Sequence, residues 1–333
     1  MTAQNAAPLL EIEGLHAGID RRSEPVTILR DVGFRIHRGE MVGVVGESGS
    51  GKSMTALAVL GLLPPAVSVS AGAVRFEGED LVAASPKTVR KHRGGRIGMI
   101  FQDPMTTLDP VVKVGRQIEE AYRIHHPGSS RADARRRATE VLELVGVPDV
   151  ARRMEQYPHQ WSGGMRQRAV IAMALVNDPD LLIADEPTTA LDATIQAQVL
   201  EVLARARKEL GVAIMLITHD LGVIAQYADR VVVMYAGQVM ESATTAELFE
   251  DSRHPYSRAL IRSRPALAAP GGRLPAIPGQ PPSLDRLPAG CPFAPRCTAS
   301  FKSQRCVEEP TSLARSDDGR LSACHYRDLE EQS

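Results

Sequence analysis

Residues 41–62, MVGVVGESGSGKSMTALAVLGL, pass without a break from an apolar run through a glycine-rich turn into a segment of helical period. Few folds satisfy that order. MVGVV suits a strand buried on both faces, and MTALAVLGLL suits the helix that follows the turn. The turn itself, Gly46, Glu47, Ser48, Gly49, Ser50, Gly51, Lys52 and Ser53, fits the pattern G-x-x-x-x-G-K-[ST] at every fixed position. Glycines there let backbone N–H groups turn inward around phosphate oxygens, and the helix N-terminus adds positive potential. On this reading Lys52 reaches the β- and γ-phosphates of a nucleotide and Ser53 ligates Mg²⁺.

Further short apolar runs alternate with amphipathic segments: RIGMIF (96–101), LLIAD (181–185), AIMLITHD (213–220) and RVVVMYAG (230–237). Continuous apolar runs separated by helices indicate an α/β fold with a mainly parallel sheet. Between 103 and 178 the pattern turns helical without a convincing strand, as in RADARRRATEVLELVGV, which predicts a helical insertion. The basic run Arg135 to Arg137 within it reads as a solvated helix face. Eleven of the 23 prolines fall between Pro255 and Pro310, so that stretch cannot be a long helix or a central strand. The expected organisation is a body over 1–255 and a loop-rich extension over 256–333.

A formal charge of -1 offers no basic footprint for nucleic acid. The N-terminus MTAQNAAPLL lacks the basic start and apolar stretch of a signal peptide, and no run approaches the ~20 apolar residues that cross a bilayer. The expectation is a chain that stays in the cytoplasm, where thiols are kept reduced.

LLIADEP ends a buried strand on adjacent carboxylates. In the presence of a phosphate loop, Asp185 could hold the metal while Glu186 polarises water. His219, at the end of AIMLITHD, is placed to contact the γ-phosphate. WSGGMRQR (161–168) starts a helix at Ser162, Gly163 and Gly164, whose N–H groups and dipole suit an anion.

These motifs, with Gln102 after RIGMIF and TALD ending at Asp192, occur in the order and spacing found in the nucleotide-binding subunit of ABC transporters, which residues 8–255 closely resemble. The resemblance implies two cassettes, this chain and a related or identical ATPase subunit, closing around two ATP molecules. Each ATP is then held by one chain's loop and the other's Ser162, Gly163 and Gly164. It implies Mg²⁺ sensing by Gln102, transmission through DPMTTLDP (103–110), Glu186 as base, and helices at 103–178 facing two integral membrane permease subunits. Two positions depart from the commonest signature: Trp161 stands for Leu and Met165 for Gln. The family usually places an aromatic residue before the phosphate loop to stack on adenine; the nearest matching place in GLHAGIDRR is Ile19, with His16 the second candidate.

The tail narrows the resemblance. HPYSRAL (254–260), IPGQPPSL (277–284) and LPAGCPFAPRC (287–297) resemble the C-terminal extension of ATPase subunits from oligopeptide and dipeptide importers. Such a subunit sits peripherally on the cytoplasmic face of the membrane and serves an extracytoplasmic solute-binding protein indirectly. Related extensions serve metal chelates, glutathione or oligosaccharides. A soluble ABC-type ATPase acting on nucleic acid or ribosomes is the alternative class; such proteins carry two cassettes or a long coiled-coil insertion, and this sequence has neither. A non-catalytic binding subunit conflicts with intact Lys52, Asp185, Glu186 and His219.

All four cysteines, Cys291, Cys297, Cys306 and Cys324, lie in the tail and lack the C-x₂-C pairs of zinc ribbons. Four thiolates can hold a [4Fe-4S] cluster, with Pro292 and Pro295 stiffening the loop between the first two. The family resemblance points the same way. Zn²⁺ is the alternative, and disulfides are disfavoured by a reducing compartment.

Overall fold

Each apolar run picked out in the sequence forms a strand in the computed structural model, which describes residues 7–20, 26–102, 107–189, 192–264, 276–284 and 286–329. In chain order the elements begin β1 (Leu10–Ile19), β2 (Val26–Ile36), β3 (Met41–Val45), α1 (Lys52–Val59), β4 (Val67–Phe76), β5 (Glu79–Asp80), α2 (Pro86–His92) and β6 (Ile97–Ile100). They continue α3 (Val114–His125), α4 (Arg131–Leu144), α5 (Val150–Arg153), α6 (Gly163–Leu175), β7 (Leu181–Asp185), α7 (Ala193–Leu210), β8 (Ala213–Ile217), α8 (Leu221–Tyr227), β9 (Arg230–Tyr235) and β10 (Gln238–Thr244). Last come α9 (Thr245–Asp251), α10 (Pro255–Arg262), α11 (Arg305–Glu308), β11 (Ala314–Arg315) and β12 (Leu321–Ser322).

The chain divides into two units. One holds Ile36–Met41 and Ala84–Ile217. Its strands β6, β7 and β8 run parallel, with Ile97 opposite Leu181 and Leu181 opposite Ala213. Every residue of β7 and β8 is buried, because helices cover a parallel sheet, and this is why they read as unbroken apolar runs. From 107 to 178 the described residues form helices α3 to α6 and a 3₁₀ turn at Pro158–Gln160, with no strand among them. A capping box starts α4: Ser130 Oγ accepts from Asp133 N at 3.1 Å and Asp133 accepts from Ser130 N at 3.3 Å. The solvated face expected at 135–137 describes Arg135 and Arg136 but not Arg137. The Arg137 side chain is 18% exposed, donates to Val176 O at 2.9 Å and pairs with Asp178, so it ties α4 to the end of α6.

The other unit holds Leu10–Arg35, Val42–Ala83 and Thr218–Ser333. Two sheets occur in it. In the first, β1 and β4 are antiparallel, flanked by β2 and β5 in the order β2-β1-β4-β5. The sequence reading did not anticipate this sheet. In the second, β3 lies parallel to β9, β9 antiparallel to β10, and β10 pairs with β12, which pairs with β11. The tail therefore contributes two short strands beyond its proline-rich stretch.

Gly98 lies where β6 meets α6. A Cβ there would stand 2.4 Å from Ala174 O and 3.2 Å from Leu182 Cδ1. Gly98→Ala should therefore destabilise the protein by about 2 kcal/mol through overpacking, lowering the thermal midpoint by roughly 3 °C. Differential scanning fluorimetry on the full chain measures it, and an unchanged midpoint would mean the helix can move away.

Candidate nucleotide and cysteine sites

The phosphate loop follows β3. Gly46, Gly49 and Gly51 have φ of +151, +75 and +100°, values that L side chains rarely adopt. A Cβ on Gly46 would meet Met234 O at 2.1 Å, whereas one on Gly49 would meet nothing within 4 Å. The loop is thus packed on its strand side and open at Gly49. Lys52 is 6% exposed, and its Nζ donates to Gly46 O at 2.8 Å, Glu47 O at 3.0 Å and Ser50 Oγ at 3.4 Å. A buried ammonium ringed by carbonyl dipoles beneath an open glycine turn fits a phosphate ligand. Ser53 lies in the first turn of α1.

Glu47 is held from outside the loop. Its backbone N–H donates to Tyr256 Oη at 2.9 Å, and its carboxylate receives both ends of the Arg296 guanidinium, at 2.5 and 3.0 Å. Sequence reasoning placed Glu47 in the loop but missed Arg296 and Tyr256. The HPY of the tail was the visible signal for Tyr256; Arg296 carried none.

His219 is exposed and lies between two ordered neighbours. Thr218 N donates to Val44 O at 3.3 Å, and Asp220 caps α8 by accepting from Gly222 N at 2.7 Å. The adenine candidates both lie on β1, where His16 pairs with Ala71 and Ile19 with Val67.

In the other unit, Asp185 ends β7 and is 4% exposed. Glu186 follows at φ +46°, a left-handed conformation fixed by its N–H donating to Ile217 O at 2.9 Å. Its carboxylate accepts from Thr189 Oγ1 at 2.8 Å and from Gln102 Nε2 at 3.3 Å. The structure thus brings Glu186 and Gln102 together. Ser162 caps α6, its Oγ accepting from Met165 N at 3.3 Å. No atom lies within 4 Å of a Cβ built on Gly163, while Gly164 is pressed against Ile195. Trp161 is 3% exposed and so is a core residue, which accounts for an apolar side chain before the signature. Asp192 caps α7 through Ile195 N at 2.9 Å. Residues 103–106 of DPMTTLDP, and 190–191 of TALD, lie outside the described residues.

All four cysteines line one cavity with His254, Phe293, Phe301 and His325. Burial pushes the Cys291 thiol up to about 12 and the Cys324 thiol up to about 11. Among the described residues no group of three or more His, Cys, Asp or Glu is drawn together tightly enough for a metal ion. The four thiols expected to hold a cluster thus face one cavity without being gathered into a ligand set.

A strand–glycine turn–helix with a buried lysine, set in this α/β fold, defines a phosphate-loop nucleotide-binding protein. The comparisons agree: the ABC transporter family matches residues 29–189, and the family described as "Oligopeptide/dipeptide transporter, C-terminal region" matches 240–306. The oligopeptide transport ATP-binding protein OppD of Mycobacterium tuberculosis is 53% identical over 324 residues, 97% of this chain but 52% of that protein. The chain thus spans about half the length of its mycobacterial relatives. A putative peptide import ATP-binding protein of Brucella abortus is 47% identical over 321 residues, 96% of each chain. Among solved structures, the dimeric ATP-binding cassette MJ0796 bound to ADP and Pi is 27% identical, with a TM-score of 0.63 over 71% of this chain and 98% of that one. The chain belongs to the ABC transporter family and carries that family's oligopeptide/dipeptide-type C-terminal region.

Because the Gly46 position abuts Met234 O, Gly46→Ala must displace the loop. A fluorescent ATP analogue should bind this variant at least about tenfold more weakly. Wild-type affinity by titration would show that loop position does not control binding.

Proposed function

We propose that this chain is the ATP-hydrolysing subunit that powers import of di- or oligopeptides through a membrane ABC transporter. The observation that carries the ATPase reading is Lys52, buried under a glycine turn with its ammonium on the loop carbonyls. The C-terminal region and the relatives named for peptide import support the cargo class. No helix among the described residues is long and apolar enough to cross a membrane. This accords with peripheral attachment, through two permease subunits, at the cytoplasmic face; a solute-binding protein delivers the peptide on the other side.

In this reading Lys52 binds the β- and γ-phosphates, and the loop N–H groups hold them in place. Ser53, Gln102 and Asp185 would hold Mg²⁺, which would supply positive charge to the phosphate oxygens. Glu186 takes the proton from the attacking water, with Thr189 and Gln102 orienting its carboxylate. His219 contacts the γ-phosphate. Ser162, Gly163 and Gly164 present the start of α6 to ATP on a second ATPase subunit, and Asp192 belongs to the same face. Both half-sites must meet for turnover, because phosphoryl transfer depends on positioning and charge stabilisation. DPMTTLDP passes the closure to the permeases.

Glu186→Gln keeps the shape and loses the base. Assembled with its permeases, this variant should bind ATP normally and hydrolyse it at least about 100-fold more slowly. Wild-type turnover would remove Glu186 from the role.

The cysteine cavity is read as a [4Fe-4S] site held by Cys291, Cys297, Cys306 and Cys324, with Zn²⁺ as the alternative occupant. The group would cross-link a segment that has little core of its own. Anaerobically purified protein should be brown and contain about four irons per chain by mass spectrometry. A colourless protein with one zinc would select the alternative, and no metal at all would defeat both.

A further inference from the structure

Glu47 is held at four atoms. Its carbonyl oxygen accepts from Lys52 Nζ, its N–H donates to Tyr256 Oη, and its two carboxylate oxygens take the Arg296 fork. One of these contacts is the lysine expected on the phosphates; the other three come from residues after 254. The position of Lys52 is therefore tied to the tail through a single residue.

Arg296 is fully engaged in that task. It is 7% exposed, and Glu47 is the carboxylate on it. The rest of the guanidinium is fixed by Pro278 O at 2.8 Å from Nε, Ile277 O at 3.3 Å from Nη2 and Tyr235 Oη at 3.2 Å from Nη1. The Glu47 hydrogen bonds hold the Arg296 pKa above its usual range, so the pair stays ionic. Ion pairs such as Arg38–Asp180, Lys113–Glu155 and Arg305–Glu309 are more exposed and worth little, whereas here the Arg296 side chain is buried and loses its carboxylate partner if Glu47 is removed.

The backbone bearing Arg296 is also the backbone bearing two thiols. A 3₁₀ turn at Ala294–Arg296 lies between Cys291 and Cys297, with Ala294 N donating to Cys291 O at 2.9 Å and Cys297 N to Ala294 O at 3.3 Å. Cys291 N in turn donates to Cys306 O at 2.8 Å. The Tyr256 arm has its own link. His254 Nδ1 accepts from Tyr256 N at 3.0 Å, which leaves the ring proton on Nε2, 4.0 Å from Cys291 Sγ. Phe293 packs on Tyr235, Tyr256 and His254 with ring centroids 5.5, 5.2 and 6.2 Å away, filling the space between the two arms.

We propose that Arg296 and Tyr256 are positioning residues for nucleotide binding: they clamp Glu47, and through it the phosphate loop, to the segment bearing Cys291 and Cys297, so that the state of the cysteine cavity sets nucleotide affinity. The inference rests on the ATP reading above but not on which metal fills the cavity. No redox step is involved; the coupling is mechanical, through a turn that an unsupported cavity would let relax.

The test titrates full-length Arg296→Gln, Arg296→Lys, Tyr256→Phe and Cys297→Ser, and the Arg296→Gln/Cys297→Ser double variant, with a fluorescent ATP analogue and Mg²⁺, measuring iron and zinc content and the melting midpoint alongside. Arg296→Gln should raise Kd about tenfold, while Arg296→Lys, which keeps the charge but not the fork, should raise it about threefold. Tyr256→Phe should fall between wild type and Arg296→Gln. In the complete transporter Arg296→Gln should raise KM for ATP with little change in kcat, whereas a partly unfolded protein would lose kcat instead. Cys297→Ser should raise Kd on its own and add almost nothing in the Arg296→Gln background. Wild-type Kd in both Arg296 variants would overturn the clamp. Full multiplication of the two effects, or no effect of Cys297→Ser, would overturn the coupling to the cavity. If the wild type itself failed to bind the analogue, the ATP reading would fall and the clamp with it; wild-type binding with unaltered variants sinks the clamp alone.

Discussion

Burying Lys52 constrains everything around the phosphate loop. An ammonium removed from water is tolerated only where dipoles or charges replace its hydration, and here Gly46 O and Glu47 O do so. Those carbonyls can point inward only if the backbone takes left-handed values at Gly49 and Gly51 and packs without a Cβ at Gly46. The loop in turn needs a rigid base, which β3 provides by lying parallel to the buried strand β9. Each requirement restricts sequence at a definite position, which is why this region was the most legible part of the chain.

Legibility elsewhere followed the same physics. Strands β3, β6, β7, β8 and β9 announce themselves because both faces are covered and polar residues are excluded from nearly every position. The antiparallel sheet stayed hidden. Its β4, VSVSAGAVRF, is exposed or half-buried at most positions and has a glycine at 72, where Cβ would strike Gly14 O at 2.2 Å. Such a strand carries no apolar run, its alternation is confined to VSVS, and its glycine reads as a turn until the partner strand is seen.

The site divides along similar lines. Glu186 and Gln102 were each singled out by motif, but that their side chains lie 3.3 Å apart is visible only in the structure. Nothing local marks the left-handed backbone of Glu186, because it is imposed by a hydrogen bond to Ile217, remote in sequence. Arg296 and Glu47 are 249 positions apart. An arginine in APRC looks like any surface arginine, and an ion pair of that span leaves no trace in periodicity. The four cysteines were conspicuous by count, but only folding shows that they share a cavity.

The tail has to be fastened without much core, since its proline-rich stretch can supply neither long helix nor central strand. Among the described residues, fastenings of three kinds hold it. Strand β12 pairs with β10 through Glu241 opposite Ser322, and Ala323 N donates to Met240 O at 2.8 Å. Arg320 and Arg253 share Asp318 and Asp251, with Arg320 Nη1 also on Asp251 O at 2.6 Å. The third is the Arg296 fork on Glu47. The first two involve backbone pairing and part-exposed charges on one end of the tail, and neither bears on the loop. Buried Glu241, whose pKa is raised by desolvation, spends its carboxylate on the N–H groups of Arg253 and His254 and so fixes where α10 begins. That placement aims Tyr256 at Glu47. The end of the tail is thus anchored to the sheet beside Cys324, whereas the end that grips the phosphate loop is shaped by the turn between Cys291 and Cys297.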